Sequence, residues 1–226
     1  MSLSIRSLQV ALLGVALSCS GCLTIEEHYV FKKNGSGNME FVVDMSALAE
    51  MMDGLSKMGG TEGSSDEGMG DMDMASSADR LREIPGISKV KLNSKKTFVQ
   101  RVSFKFRDVT ALNKALRILM PDSLDAEHDF FTWDGSTLVR TNNGHAMELG
   151  EDMADDDADD REQAEAFLKG MKYKYSFRFA STVADRTVAE GMSVDAPSPR
   201  ELLLETDWSA IMTDPGALDL RIRLDK

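Results

Sequence analysis

Hydrophobic and polar residues alternate along 25–33, IEEHYVFKK, and again along 38–44, NMEFVVD. Period-two alternation predicts strands, with Tyr29 and Phe31 on one face of the first and Met39, Phe41 and Val43 on one face of the second. Between them lies Asn34-Gly35-Ser36-Gly37, whose Asn and Gly accept positive φ at little cost, so a hairpin is expected. The period then lengthens. Met45, Leu48, Met52 and Leu55 are three and four apart, the stripe of a helix over about 45–58. Periodicity is lost over 59–77, GGTEGSSDEGMGDMDMASS, which is expected to be a mobile acidic loop.

Order resumes near Asp79 with a short helix, a turn at Pro85-Gly86 and a strand. TFVQRVSFKF, residues 97–106, predicts the hairpin partner of that strand, with Phe98, Val102, Phe104 and Phe106 on one face. A helix from Asp108 to Met120 is closed by Pro121, and its Leu112, Ala115, Leu116 and Leu119 fit a core-facing stripe. FFTWDGSTLVRT, 130–141, predicts another hairpin, turned at Asp134-Gly135. A second mobile acidic loop is expected over about 148–160. The acidity continues to 165, into a helical segment ending near Lys169-Gly170. KYKYSFRF, 172–179, alternates strictly between aromatic and polar, and RELLLE (200–205) and LDLRIRL (218–224) predict further strands. The sum is an α+β fold of antiparallel β-hairpins alternating with helices packed on one face of the sheet.

A repeat runs through these elements. DMSAL at 44–48, DVTAL at 108–112 and DWSAI at 207–211 each follow a predicted strand. Asp at a helix N-cap accepts a backbone N–H of the first turn, and its charge suits the positive helix end. Good helix starts look alike, and that accounts for part of the signal. The rest suggests an internal duplication of a hairpin–helix unit. The spacings of 64 and 99 residues are too unequal for a solenoid.

The amino-terminal segment has a different character. Arg6 precedes the apolar run LQVALLGVAL at 8–17, and small residues Ser18, Ser20 and Gly21 follow. That order is an export signal, and the run is too short to span a bilayer core, which needs about 20 apolar residues. Both cysteines of the chain lie at its exit. Bacterial lipoprotein signals end in a small residue followed by a cysteine that receives a diacylglyceryl group. Cys22 has Gly21 and Ser20 before it and is the favoured lipidation site, although Cys19 stands where Leu is usual. Cys19, preceded by Ser18, Leu17 and Ala16, is the alternative. An ordinary secreted protein with incidental cysteines is the plainer reading. Residues 1–21 are thus expected to be a lipoprotein signal peptide and 22–226 a single envelope domain. With Cys22 as anchor no thiol is left for an internal disulfide. Leu23 follows in place of the Asp that retains lipoproteins at the inner membrane, which favours the outer membrane.

Charge narrows the partners. The whole chain has 26 basic and 38 acidic side chains, and losing Arg6 with the leader moves the net charge from −12 to −13. Nucleic acid, which requires a basic surface, is disfavoured. About 200 residues suffice for a real core.

Candidate chemistry is sparse. Asp155, Asp157 and Asp159 alternate like the first ligands of an EF-hand loop, but Asp160 stands where Gly is required and Ala166 where Glu is required. Met69, Met72 and Met74 could suit Cu(I), but no His or Cys accompanies them. His28, His128 and His145 are scattered without metal-ligand spacing. Neither a nucleophile elbow nor a P-loop occurs. No metal, cofactor or catalytic residue is therefore expected, and the chain is read as not an enzyme.

Basic residues alternate with the apolar ones in several strands: Arg101 and Lys105, then Lys172, Lys174 and Arg178, then Arg221 and Arg223. If these strands share a sheet, its outer face is basic. A solvated sheet face covered by the acidic 148–165 segment is the bland reading. The functional one is a face that meets anionic lipid or an acidic envelope protein.

The order of lipid-attachment signal, short strand, KKNGSGNMEF hairpin and VDMSAL helix start resembles lipoproteins of Gram-negative bacteria and, more remotely, the LppM-type lipoprotein domain. The likeness lies mainly in residues 17–58. It implies an anchored α+β domain with lipid or envelope binding, and it supplies no catalytic residue. The expected role is binding or scaffolding at the membrane surface. The alternatives are a lipid carrier or sensor with a ligand between sheet and helix, and an envelope enzyme.

Overall fold

The computed structural model describes residues 23–57, 74–121, 128–141, 144–153 and 161–225. Strands β1 (Thr24–Phe31) and β2 (Gly37–Asp44) form the first hairpin, with Gly35 at φ 76° in its turn, and helix α1 (Ser46–Lys57) follows. Helix α2 (Met74–Glu83) leads into the hairpin β3 (Ile87–Lys96) and β4 (Val99–Phe106), and then into α3 (Val109–Leu119). Strands β5 (Phe131–Asp134) and β6 (Thr137–Arg140) turn about Gly135 at φ 61°. Helices α4 (Gly144–Met153) and α5 (Arg161–Gly170) precede β7 (Lys172–Phe179), β8 (Val183–Val188), β9 (Ser193–Ser198) and β10 (Glu201–Asp207). Helix α6 (Trp208–Thr213) and β11 (Leu220–Leu224) complete the fold.

The class is α+β, with two sheets. Seven strands run in the order β3-β4-β2-β1-β7-β10-β9, and four in the order β5-β6-β11-β8. Alternation sends Tyr29 and Phe31, Met39 and Phe41, Phe104 and Phe106, and Tyr173 through Phe179 to one face of the large sheet, where all are buried. The small sheet closes over the middle of that face. Phe131 meets Tyr29 at 5.1 Å between ring centroids and Phe177 at 6.4 Å, mostly edge to face. Such pairs add roughly 0.5–1.5 kcal/mol beyond the area they bury.

The fold of antiparallel hairpins and helices appears as expected, with two features that the sequence did not show and two loop bounds that move. The hairpins are antiparallel, but β1 and β7 pair in parallel at the centre of the large sheet. Helices do not have the inner face to themselves, because the four-stranded sheet shares it. The loop expected over 59–77 has become helix by Met74, which is buried with Ala78 and Leu81 as the apolar side of α2. The loop expected from 148 likewise begins inside α4. In both places the acid-rich composition masked helix. Residues 58–73 and 154–160, with Met69, Met72, Asp155, Asp157 and Asp159, lie outside the described residues.

The repeat corresponds to a recurring unit. In β1-β2-α1, β3-β4-α3 and β9-β10-α6 a hairpin of the large sheet hands its second strand to a helix. Asp108 accepts the Ala111 N–H at 2.8 Å and Asp207 the Ala210 N–H at 3.1 Å, both as N-caps. Asp44 differs: it accepts the Ser46 N–H at 2.9 Å, nearer the strand end. The Ala111 N–H and the neighbouring Arg107 hold the Asp108 carboxyl below its ordinary range.

Candidate functional site

Cys19 and Cys22 lie outside the described residues, of which Leu23 is the first. Leu23 is buried, and its carbonyl accepts the Lys172 N–H at 2.9 Å, so the chain is tied into the sheet at once. Across the same end of the sheet run Lys96, Val99, Asp44, Thr24, Lys172 and Asp207, one from each of six neighbouring strands.

The basic residues do not form the face expected of them. Arg101, Lys105, Lys172, Lys174 and Arg178 do share the outer side of the large sheet, but β1, β2 and β10 bring acids between them. Arg178 pairs with Glu201 at 3.0 Å, Lys174 with Glu205 at 3.6 Å and Arg101 with Glu40 at 3.7 Å. Arg221 and Arg223 belong to the other sheet, where Arg223 lies 3.9 Å from Asp185. The outer face is a mixed-charge surface, because neighbouring strands place acids directly opposite Arg178 and Lys174 and diagonal to Arg101. A groove of about 430 Å³ crosses it beside Glu26, His28, Lys174 and Leu203. The His28 ring bonds Glu26 at 2.9 Å and holds that carboxyl below its ordinary range.

Charge is also placed inside. Glu27 of β1 and Arg140 of β6 are both 0% exposed, and the guanidinium donates to Glu27 Oε1 at 3.0 Å across the gap between the sheets. The hydroxyls of Tyr29 and Tyr173 donate to the same carboxylate. Above the guanidinium lie the rings of Tyr175 at 4.8 Å and Phe130 at 5.6 Å. Burial alone would lower the Arg140 pKa, but the Glu27 carboxylate raises it above its usual value. Desolvation, then the charge of Glu27, pushes the phenols of Tyr29 and Tyr173 well above the usual range. His145 of α4 completes the cluster through Nε2, 3.0 Å from the Tyr173 oxygen. Burial and the charge of Arg140 keep its imidazole neutral, so Nε2–H donates to the Tyr173 oxygen while that hydroxyl donates to Glu27. His145 Nδ1 has no hydrogen-bond partner among the described residues.

Perturbed titration of this kind can mark a catalytic centre, but structural ion pairs perturb pKa as well. Glu27, Arg140 and Tyr173 are sealed by the aromatic layer, so the arrangement reads as a clamp joining the sheets. Neither Glu27 nor Arg140 stood out in sequence. Glu27 does fall in phase with Ile25, Tyr29 and Phe31, and Arg140 in phase with Leu138. A charged residue on the apolar phase of a strand is the signal that would have found them. His28 lies on the outer face, whereas His128, on the segment before β5, and His145 both pack edge-on against Phe130. No group of three or more His, Cys, Asp or Glu among the described residues is placed to hold a metal ion.

Phe98 departs most from expectation. The alternation put it on the apolar face of its strand, but the structure puts it in the two-residue turn between Lys96 and Val99, at φ 65° and 46% exposed. The pairing of β3 with β4 shifts register between Asn93 and Lys96, whereas β4 pairs regularly with β2 from Val99, which is the first buried residue of that strand.

Neither protein-family models nor curated proteins match the chain. Among solved structures it is similar to the NMR structure of the folded domain of LppM from Mycobacterium tuberculosis, with 10% identity, 92% of each chain covered and a TM-score of 0.43. A likeness of that size carries no argument about function, and the α+β assignment rests on this chain's own strands and helices. No helix among the described residues is long and apolar enough to cross a membrane.

Proposed function

We propose that this chain is a lipid-anchored protein of the bacterial envelope whose domain binds or scaffolds at the membrane surface without catalysing a reaction. The carrying observation is the entry of the chain into the fold. Cys22 ends an export signal, and the next residue, Leu23, is buried and hydrogen-bonded to β7. An acyl group on Cys22 holds the row from Lys96 to Asp207 against the bilayer with almost no tether. A processed lipoprotein carries two or three acyl chains, and two anchoring signals are what stable attachment requires. Leu23 in place of Asp directs it to the outer membrane of a Gram-negative cell.

The interior supports scaffolding over carriage. A lipid carrier requires an apolar cavity between sheet and covering elements. In the described residues the rings of Tyr29, Phe31, Phe131 and Phe177 interleave there at 5.1–6.4 Å.

Radioactive palmitate labelling of wild type, Cys22→Ser and Cys19→Ser, with membrane fractionation, tests the anchor. Label lost only in Cys22→Ser is the expected outcome. Label lost only in Cys19→Ser moves the anchor, and an unlabelled wild type ends the membrane reading.

A further inference from the structure

We infer that the tip of the β3–β4 hairpin, Lys95-Lys96-Thr97-Phe98, is a second membrane contact, in which the phenyl ring of Phe98 enters the interface of an anionic bilayer and the two lysines meet its phosphates. This rests on the anchored reading above and extends it.

Three observations carry the inference. The first is strain. Phe98 has φ 65°, a region that Gly or Asn occupies readily and a bulky side chain rarely does. The turn keeps a phenylalanine where the fold alone would favour glycine, and holds its ring 46% exposed. Lys89 of the same hairpin shares this region at φ 56°, but it lies within an edge strand; at the tip the outlier supports a functional hypothesis.

The second is charge. Residues 91–98 are all exposed, and neither Lys95 nor Lys96 has an ion-pair partner among the described residues. On the outer face, by contrast, Glu205 answers Lys174 and Glu201 answers Arg178. Lysines on an edge strand also discourage edge-to-edge association, which explains Lys89 and Lys91 along β3. That does not explain an aromatic ring beside the lysines at the tip. Aromatic and basic side chains together suit the headgroup level of a bilayer.

The third is position. Lys96 pairs with Val99, Val99 with Asp44, and Asp44 with Thr24, the second described residue. The Phe98 carbonyl accepts the Met45 N–H at 2.8 Å, which fixes the tip to this end of the sheet. The tip strand β4 lies two strand spacings from β1, about 10 Å. An anchor at Cys22 and the tip therefore reach the same plane. The anchor holds the chain to the membrane and the tip sets which way the domain faces.

The test uses the mature, acylated chain reconstituted in vesicles of phosphatidylethanolamine with phosphatidylglycerol. A Phe98→Trp variant adds one indole to Trp133 and Trp208. Trp208 is fully buried and Trp133 packs on Phe31 at the far end of β1. Brominated phospholipid is expected to quench most of the added emission, and much less of it when Lys95→Glu and Lys96→Glu are also present. Phe98→Gly supplies the second measurement. Glycine accepts this φ, so the thermal midpoint is expected to stay or rise. A marked fall would show that the ring serves the fold and would overturn the inference. Mass spectrometry of the amino terminus separates the two readings. A chain without acyl groups sinks the anchor, whereas an acylated chain with unquenched added emission sinks only the tip.

Discussion

Arg178 meets Glu201 at 3.0 Å on the outer side of the large sheet, and Arg140 meets Glu27 at 3.0 Å on its inner side. The separations are equal and the energetics are not. The outer pair stands in water, where screening and side-chain entropy leave it roughly 0–1 kcal/mol. The inner pair has lost its water, and its retention depends on the tyrosine hydroxyls that share the carboxylate and on the rings around the guanidinium. Breaking the inner pair strands a charge in a dry layer. What distinguishes the two is not the contact but what remains when one partner is removed.

The largest effect should come from Arg140→Met. Leaving Glu27 buried and unpaired should cost about 3–5 kcal/mol, read as a lower urea midpoint. Adding Glu27→Leu should recover most of that loss. A double variant no more stable than the single one would mean the clamp is not acting as a charge pair.

Next comes Asn113 on α3, which is buried and forms two hydrogen bonds with the edge of β5. Its Nδ2 donates to the Phe131 carbonyl at 2.8 Å and its Oδ1 accepts the Phe131 N–H at 2.9 Å. Asn113→Leu leaves both backbone groups unanswered and should cost about 2–4 kcal/mol, since each buried orphan costs roughly 1–3.

A smaller effect is expected from pH. The His145 imidazole is held well below its ordinary value of 6.5 by burial and by Arg140. The unfolded chain binds a proton that the folded one refuses, so this group's contribution is present above 6.5 and is lost as pH falls. The slope approaches about 1.4 kcal/mol per unit. Thermal midpoints from pH 7.5 to 5 should fall in wild type and flatten in His145→Gln. Glu26 and Asp108, whose carboxyls are held low, add their losses only at more acid pH. An unchanged slope in His145→Gln would assign the acid sensitivity elsewhere.

Smallest of all should be Arg178→Ala on the outer face, within about 0.5 kcal/mol in the same urea assay. A loss comparable with that of Arg140→Met would erase the contrast between the faces.

Local periodicity made much of the architecture legible. The hairpins at 25–44 and 130–141, the helices after Asp44 and Asp108 and the strand at 172–179 appear where alternation and turn residues put them. These signals work because a strand or helix face is decided by neighbours two to four residues away. Strands β8 and β9 escaped, since they lie at sheet edges with mostly exposed residues and carry little hydrophobic phase. The basic face was misread for a different reason. Each strand does alternate basic and apolar, but the charge of a sheet surface depends on the strands beside it, and β1, β2 and β10 contribute acids.

By itself, then, the sequence determined most of the elements and the Asp-led helix starts, because each is written in adjacent residues. Only the tertiary structure decided that β1 lies parallel to β7, that Glu27 finds Arg140 at a separation of 113 residues, and that Phe98 stands exposed near the chain's entry. Those facts depend on which strands become neighbours, and chain entropy and packing settle that over the whole fold at once.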